Sequence, residues 1–274
     1  MEKLNSFAKT IDDKIVKDGL CAVATLDDSP DTKGLYFLVG GVATQSYIPS
    51  SCRRSTSDID LAILRPLNYE EFKHLTKNIT SYLQDNGYSV RTRKRSRAFS
   101  LVTEDKEGNT TIIEFSRRNQ PSFDDVASRL GREFAHSRKK LVEERNSSYT
   151  VSSPEDIAIP KLARSVNSFL RNPAFERDVS HRRALSDSEI QKQLTDIKNL
   201  REEAILNLGD VRAAEELRFV SDIYDIRVLS ELSGFNESYL NEAANDWNSL
   251  TNPSFERDLL VRHALPNLKI GKSI

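Results

Sequence analysis

Cysteine is scarce in this 274-residue chain, with Cys21 and Cys52 the whole complement. Two unpatterned thiols supply neither a disulfide framework nor a cysteine zinc site, and reduced side chains are the plain reading. Histidine is scarce too. His74, His136, His181 and His263 form no His-x-x-x-His or Glu-x-x-His spacing, so a transition-metal centre is not expected and any metal should be held by carboxylates. Nowhere do about 18 apolar residues run together, and Met1 to Asn5 is no basic patch ahead of an apolar core. Neither a membrane span nor a leader is therefore expected, and the chain reads as cytoplasmic. Net charge is also missing: 40 Lys and Arg against 41 Asp and Glu leave −1, which excludes holding DNA by bulk charge.

What charge there is lies unevenly. Residues 1–150 carry 24 basic against 21 acidic side chains and residues 151–274 carry 16 against 20, so the first half is the better host for a polyanion. The hydrophobic pattern divides similarly. An apolar run from Gly34 to Gly41 reads as a buried strand ended by a turn, followed by a short helix from Val42 to Tyr47. Asp58 to Leu64 reads as a second strand, Asn68 to Gly87 as an amphipathic helix with a capping box of Asn68 and Glu71, and residues 88–103 and 110–116 as two further strands. From Ser122 onward the pattern reads as helical, with periodic segments at 155–170, 186–208, 211–233 and 237–249. The expectation is an α/β head with a small mixed β-sheet over residues 1–148 and an all-α C-terminal domain over 149–274, joined by the polar stretch 146–150.

A repeat links Asn172 to Leu185 with Asn252 to Leu265, nine of fourteen positions matching. Two copies are too few for a solenoid. Asn followed by Pro suits a helix start used twice, while a pair of Arg-bearing elements gripping a partner is the sharper alternative.

The chemistry concentrates around Asp58 and Asp60. Residues i and i+2 of a strand share a face, so these two carboxylates stand side by side while Ile59, Leu61 and Ile63 point the other way. Adjacent carboxylates repel unless cations neutralise them, and hard divalent ions take oxygen ligands. Upstream, Gly40 and Gly41 form a strand-to-helix turn whose bare backbone could approach a phosphate. Downstream, Glu114 interrupts a β-branched strand where packing alone would not choose a carboxylate. A glycine turn, an Asp-x-Asp strand and a third carboxylate meet the requirements of two-metal phosphoryl transfer.

These residues, with Arg54 ahead of Asp58, resemble the signature of the polymerase-β-type nucleotidyltransferase superfamily, and in particular its AbiEii-like and MenT-like toxin branch. In the second half Pro154, Glu155, Asp156 and Lys161, then Arg218, Asp222, Tyr224 and Asp225, match two helical motifs of that branch, so the resemblance spans about residues 36–232. Its departures are Gly-Gly in place of Gly-Ser, a long loop before Asp58, and 61 residues between Lys161 and Asp222, with Asp178 an alternative match for the latter.

The resemblance implies a nucleotidyltransferase fold and an active site in the cleft between head and helical domain. It implies that Asp58, Asp60 and Glu114 ligate Mg²⁺ or Mn²⁺, with Glu114 or Asp60 as base. Gly40, Gly41 and Arg54 would hold the nucleotide, Lys161 would reach the triphosphate, and Asp222 would orient Lys161 or the base. The activity implied is transfer of NMP from an NTP to an acceptor hydroxyl, such as the 3′ end of tRNA, by a toxin that a cognate antitoxin neutralises. Nucleotidylation of a small molecule or protein, or a non-catalytic nucleotide- or RNA-binding module, are the alternatives.

Arg91, Arg93, Lys94, Arg95 and Arg97 put five cations in seven residues, to which Arg117, Arg118, Arg138, Lys139 and Lys140 add. This reads either as a solvated edge strand or as a contact for an RNA backbone or triphosphate.

Overall fold

The computed structural model describes residues 10–54, 56, 58–142, 147–169 and 211–264. They fall into two compact units, Met1–Ser46 with Ser55–Ser153, and Tyr47–Arg54 with Pro154–Ile274. The first is a mixed seven-stranded sheet with helices and the second is helical.

The sheet unit begins with helix α1 (Lys14–Asp28), which the sequence reading leaves unassigned. Its residues Ile15, Val16, Leu20, Val23 and Leu26 are all buried, at the three- and four-residue spacing of one helical face. Strand β1 (Tyr36–Val39) runs into α2 (Gly40–Gln45), and β2 (Asp58–Ile63) follows. The expected helix after Asn68 is two helices, α3 (Tyr69–Leu75) and α4 (Lys77–Asp85). Thr76 separates them because its backbone leaves helical geometry (φ −93°, ψ 2°) while its hydroxyl donates to the Phe72 carbonyl at 2.8 Å.

The expected strand over 88–103 is likewise two, β3 (Ser89–Lys94) and β4 (Ala98–Glu104). The polar residues Arg95, Ser96 and Arg97 reverse the chain, closed by a 2.8 Å bond from the Arg95 amide to the Ala98 carbonyl. Strand β5 (Thr110–Ser116) and the short helices α5 (Gln120–Asp124) and α6 (Ala127–Ala135) come next. Two strands then interrupt what the sequence suggested would be continuous helix, β6 (Arg138–Val142) and β7 (Ser147–Val151). The stretch expected as a polar link thus carries β7, whose Tyr149, Thr150 and Val151 are buried.

The strand order is β3-β4-β5-β2-β1-β7-β6, with β3 and β6 at the edges. Strand β2 sits in the middle, antiparallel to β1 and parallel to β5. On one face Ile59, Leu61, Phe99, Leu101, Ile113 and Phe115 are all 1% exposed or less. Phe72 of α3 packs there, its ring centroid 5.1 Å from that of Phe99 and 5.4 Å from that of Phe115. The opposite face is covered at one end by a smaller cluster of Phe37, Ala62 and Leu130 with Phe123, Val126 and Phe134 around it. The Asp58 end of that face carries polar side chains.

The helical unit contains α7 (Pro154–Phe169), α8 (Val211–Val228) continued by a π-turn at Leu229–Ser233, α9 (Glu237–Ala244) and α10 (Pro253–Ala264). Its core joins Ile159, Leu162, Ile223, Ile226, Leu240 and Leu260 to Ile48 from the earlier segment. The segment 186–208 and the first repeat copy lie outside the described residues. The second copy forms α10, with the Asn252 side chain accepting from the Phe255 amide at 3.2 Å. Among the described residues no helix is long and apolar enough to cross a membrane.

The capping box at α3 is complete: Asn68 accepts from the Glu71 amide at 3.0 Å, and Glu71 accepts from the Asn68 amide at 2.7 Å. Replacing Asn68 with Ala should lower stability by about 1 kcal/mol, read as a shifted midpoint in urea unfolding.

Candidate functional site

Strand β2 has an alternating burial pattern at its start. Ile59 is fully buried, while Asp58 and Asp60 are half-buried on the other face. Sheet register extends that face sideways, since paired residues on neighbouring strands point the same way. Asp60 pairs with Val39 of β1 and with Glu114 of β5, Glu114 with Ser100 of β4, and Ser100 with Arg93 of β3. One row across the sheet therefore runs Val39, Asp60, Glu114, Ser100, Arg93.

Gly40 begins α2 directly beside Asp60. It has φ +77°, a left-handed conformation that favours glycine. A Cβ at this position would overlap Oδ2 of Asp60 and lie 3.2 Å from its Cγ, so the bare backbone lets that carboxylate close onto the turn. Gly41 is the second residue of the helix and carries no positive φ.

Glu114 takes its place in the row, but its carboxylate is engaged laterally. Arg95 lies 3.4 Å from Oε2, and the buried Ser100 hydroxyl lies 3.5 Å from the same oxygen. Among the described residues no three acidic, histidine or cysteine side chains gather closely enough to hold a metal ion. The donor chemistry of Asp58 and Asp60, carboxylate oxygens alone beside a glycine cradle, suits a hard divalent ion. Glu114 would have to exchange Arg95 and Ser100 for such an ion.

The other expected site residues come together in the helical unit. Lys161 of α7 lies 2.9 Å from Asp225 and 3.4 Å from Asp222, residues three apart on α8. Arg54 forks onto Asp225, its Nε at 2.7 Å and Nη2 at 2.5 Å, and Arg164 forks onto Asp222 at 3.0 and 3.1 Å. The carboxylates are 5% and 1% exposed and the Lys161 side chain 7%, so these are buried pairs. Burial pushes the Asp225 carboxyl upward, but Arg54 and then Lys161 outweigh it and hold the group below the ordinary carboxylate range.

Tyr224 adds a 2.5 Å bond from its hydroxyl to the Cys52 carbonyl, fixing the Tyr47–Arg54 segment in place. The Lys161–Asp222 pairing implied by the resemblance is present. Asp225 and Arg164 complete it; both stand within the matched motifs but neither was given a role from sequence, although the three-residue spacings Asp222/Asp225 and Lys161/Arg164 place each pair on one helical face.

The basic residues spread over several elements. Arg91 and Arg93 are exposed on β3, with Arg91 3.0 Å from Glu104, while Arg95 and Arg97 sit in the β3–β4 turn. Lys139 on β6 pairs with Asp27 at 2.5 Å.

Compared with solved structures, this chain is similar to the antigenic nucleotidyltransferase-like protein of Paracoccidioides brasiliensis, with TM-score 0.42 and 13% identity over 92% of this chain and 94% of that one. It is also similar to a cytoplasmic RNA terminal U-transferase (TM-score 0.24, 17% identity, 59% of this chain and 44% of that one). The Cid1 poly(U) polymerase is a third such structure (TM-score 0.24, 14% identity, 58% and 46%). This chain spans less than half the length of the latter two. No family model and no curated protein matches it in sequence.

Two outcomes follow from these geometries. Gly40→Ala should destabilise the sheet unit by about 1–3 kcal/mol in chemical unfolding, because it meets both an unfavourable φ and the Asp60 carboxylate. Arg54→Ala should cost about 3 kcal/mol by exposing Asp225 to an incompletely balanced burial. Since the Asp225 carboxyl is held low when folded, its contribution is present above the ordinary carboxylate range and is lost as pH falls. The Arg54 variant should therefore begin to unfold at a higher pH than the parent, and an unchanged acid midpoint would show the pairing to be unimportant.

Proposed function

We propose that this protein is a nucleotidyltransferase that moves a nucleoside monophosphate from an NTP to an acceptor hydroxyl. The single observation that carries the reading is the carboxylate row: Asp58 and Asp60 on one face of β2, Glu114 in register beside Asp60, and Gly40 beneath the Asp60 carboxylate. A row of carboxylates suits this chemistry by gathering divalent cations, which offset the negative charge of a triphosphate.

In this reading Asp58, Asp60 and Glu114 hold Mg²⁺ or Mn²⁺, which when bound would acidify the hydroxyl and offset triphosphate charge. Asp60 or Glu114 accepts the proton of the acceptor hydroxyl at a carboxylate oxygen. The freed oxygen forms a bond to the α-phosphorus, the bond from that phosphorus to the bridging oxygen breaks, and pyrophosphate leaves with the electron pair. The backbone at Gly40 and Gly41 holds the triphosphate, with the Asp60 carboxylate directly beside Gly40. Lys161, Asp222 and Arg54 serve as positioning residues of the helical unit, their charges being committed to one another and to Asp225.

The motif resemblance extends the proposal to a cytoplasmic toxin of a toxin–antitoxin or abortive-infection system, with the 3′ end of tRNA as acceptor and an antitoxin protein as partner. A second reading, a nucleotide- or RNA-binding module without turnover, draws on the engagement of Glu114 by Arg95 and Ser100.

Incubation with each labelled NTP, Mg²⁺ and total tRNA separates them. Transfer chemistry predicts label on RNA and a loss of at least about a hundredfold in Asp60→Ala. Label surviving in that variant sinks the carboxylate assignment, and absence of label on RNA, small molecules and protein alike favours the binding module.

A further inference from the structure

Beyond the carboxylate row, the same unit contains a basic cavity of about 390 Å³. It is lined by Ser96 and Arg97 of the β3–β4 turn, Ser116 at the end of β5, Arg117, Arg118 and Asn119 just after it, and Ser122 of α5. Ser116 lies two residues beyond Glu114 and so on the same sheet face.

The lining is organised around Ser116. Its hydroxyl accepts from the Ile63 amide at 3.1 Å and from Arg118 Nη1 at 2.9 Å, so the half-buried Arg118 guanidinium is held at the cavity wall. Arg117 lies over the Phe99 ring, 5.2 Å from its centroid, with only long contacts to the carbonyls of Arg95 and Ser96 at 3.5 and 3.4 Å. Its amide bonds the Arg97 carbonyl at 2.9 Å, which brings the third arginine alongside.

Among the described residues none of Arg97, Arg117 and Arg118 makes an ion pair with a carboxylate, and the lining contains no Asp or Glu. The carboxylate nearest in effect to Arg118 is Glu133, itself 3.7 Å from Arg129, and Arg129 in turn adds positive charge against Arg118. Burial first, and then Arg129, lowers the proton affinity of Arg118, as expected where cations crowd without an anion.

Three arginines, three serines and Asn119 around a concave surface supply the residue types that bind phosphate, which guanidinium forks meet with paired hydrogen bonds. The volume lies near the lower end of small-ligand sites, about 300–1,000 Å³, and exceeds what one bare phosphate needs. We propose that this cavity binds the phosphate group of a nucleotide unit, free or within a nucleic-acid strand, as a site separate from the Gly40–Gly41 turn. A strand is the source that the surroundings favour, because the exposed Arg93 of β3 adds a further cation on the sheet face that Ser116 shares.

The test is binding without NTP and in EDTA, so that failure of the transferase reading leaves its result intact. The full chain is titrated into a fluorescein-labelled eight-nucleotide single-stranded RNA, followed by anisotropy, and AMP is titrated into the chain by calorimetry. Arg97→Ser/Arg117→Ser should weaken binding at least tenfold and reduce the slope of log affinity against log salt by about one to two. The single exposed change Arg97→Glu, which no buried contact opposes, should act in the same direction and serves if the double variant does not fold. RNA bound far more tightly than AMP assigns the phosphate to a strand, and comparable affinities assign it to a mononucleotide. Binding of neither probe, or equal binding by parent and folded variants, overturns the proposal.

Discussion

The contact on which the sheet unit turns is the one between Gly40 and the Asp60 carboxylate. It ties the end of β1 to the middle of β2, and it exists only because residue 40 has no Cβ and can adopt φ +77°. Given that contact, the register of β1 with β2 sets Asp60 opposite Val39, and the parallel pairing with β5 sets it beside Glu114. The three carboxylates thus share a face for reasons of backbone geometry, while the face behind them is filled by Ile59, Leu61, Phe99 and Phe115. A buried, close-packed apolar layer on one side supports a charged layer on the other. Without it, repulsion among the carboxylates would act on a pliable strand.

The helical unit solves a different electrostatic problem. Buried carboxylates on α8 are each met by two cations, Asp222 by Lys161 and Arg164, and Asp225 by Lys161 and Arg54. Removing any one partner leaves charge in a poorly solvated place, which makes the arrangement specific even where its net contribution to stability is modest. The residues that the motif resemblance assigns to the site are, in this geometry, paired with one another and with Asp225.

Much of the sheet unit was legible because its signals are local. The Asp-x-Asp alternation in β2, the apolar run of β1 and the capping box of α3 are each complete within a few residues, and each forms as the pattern implies. Edge strand β6 was not, whereas β3 at the other edge was read as strand. Arg138, Lys139 and Lys140 on β6 fall in the stretch read as helical, since an edge strand with solvent on its face keeps no apolar alternation. The site divides in the same way. That Asp58 and Asp60 share a face follows from strand geometry, whereas the engagement of Glu114 by Arg95 and Ser100 depends on a turn at residues 95–97 that a continuous strand would not contain. Asp225 was quoted in a motif but its two cations were not foreseen, because Arg54 lies 171 residues away along the chain.

That separation has a consequence for how the chain can be cut and made. The helical unit is not a continuous piece, since Ile48 contributes to its core and Arg54 to its ion network. Expressed from residue 154 onward, it would lack both, and Asp225 would keep only Lys161 among its two cations. During synthesis the order is reversed: Arg54 is made long before its carboxylate exists, and the closure of so long a loop must await nearly the whole sheet unit. The polypeptide therefore cannot be divided at a single point, since the helical unit takes one short segment from the first part of the chain.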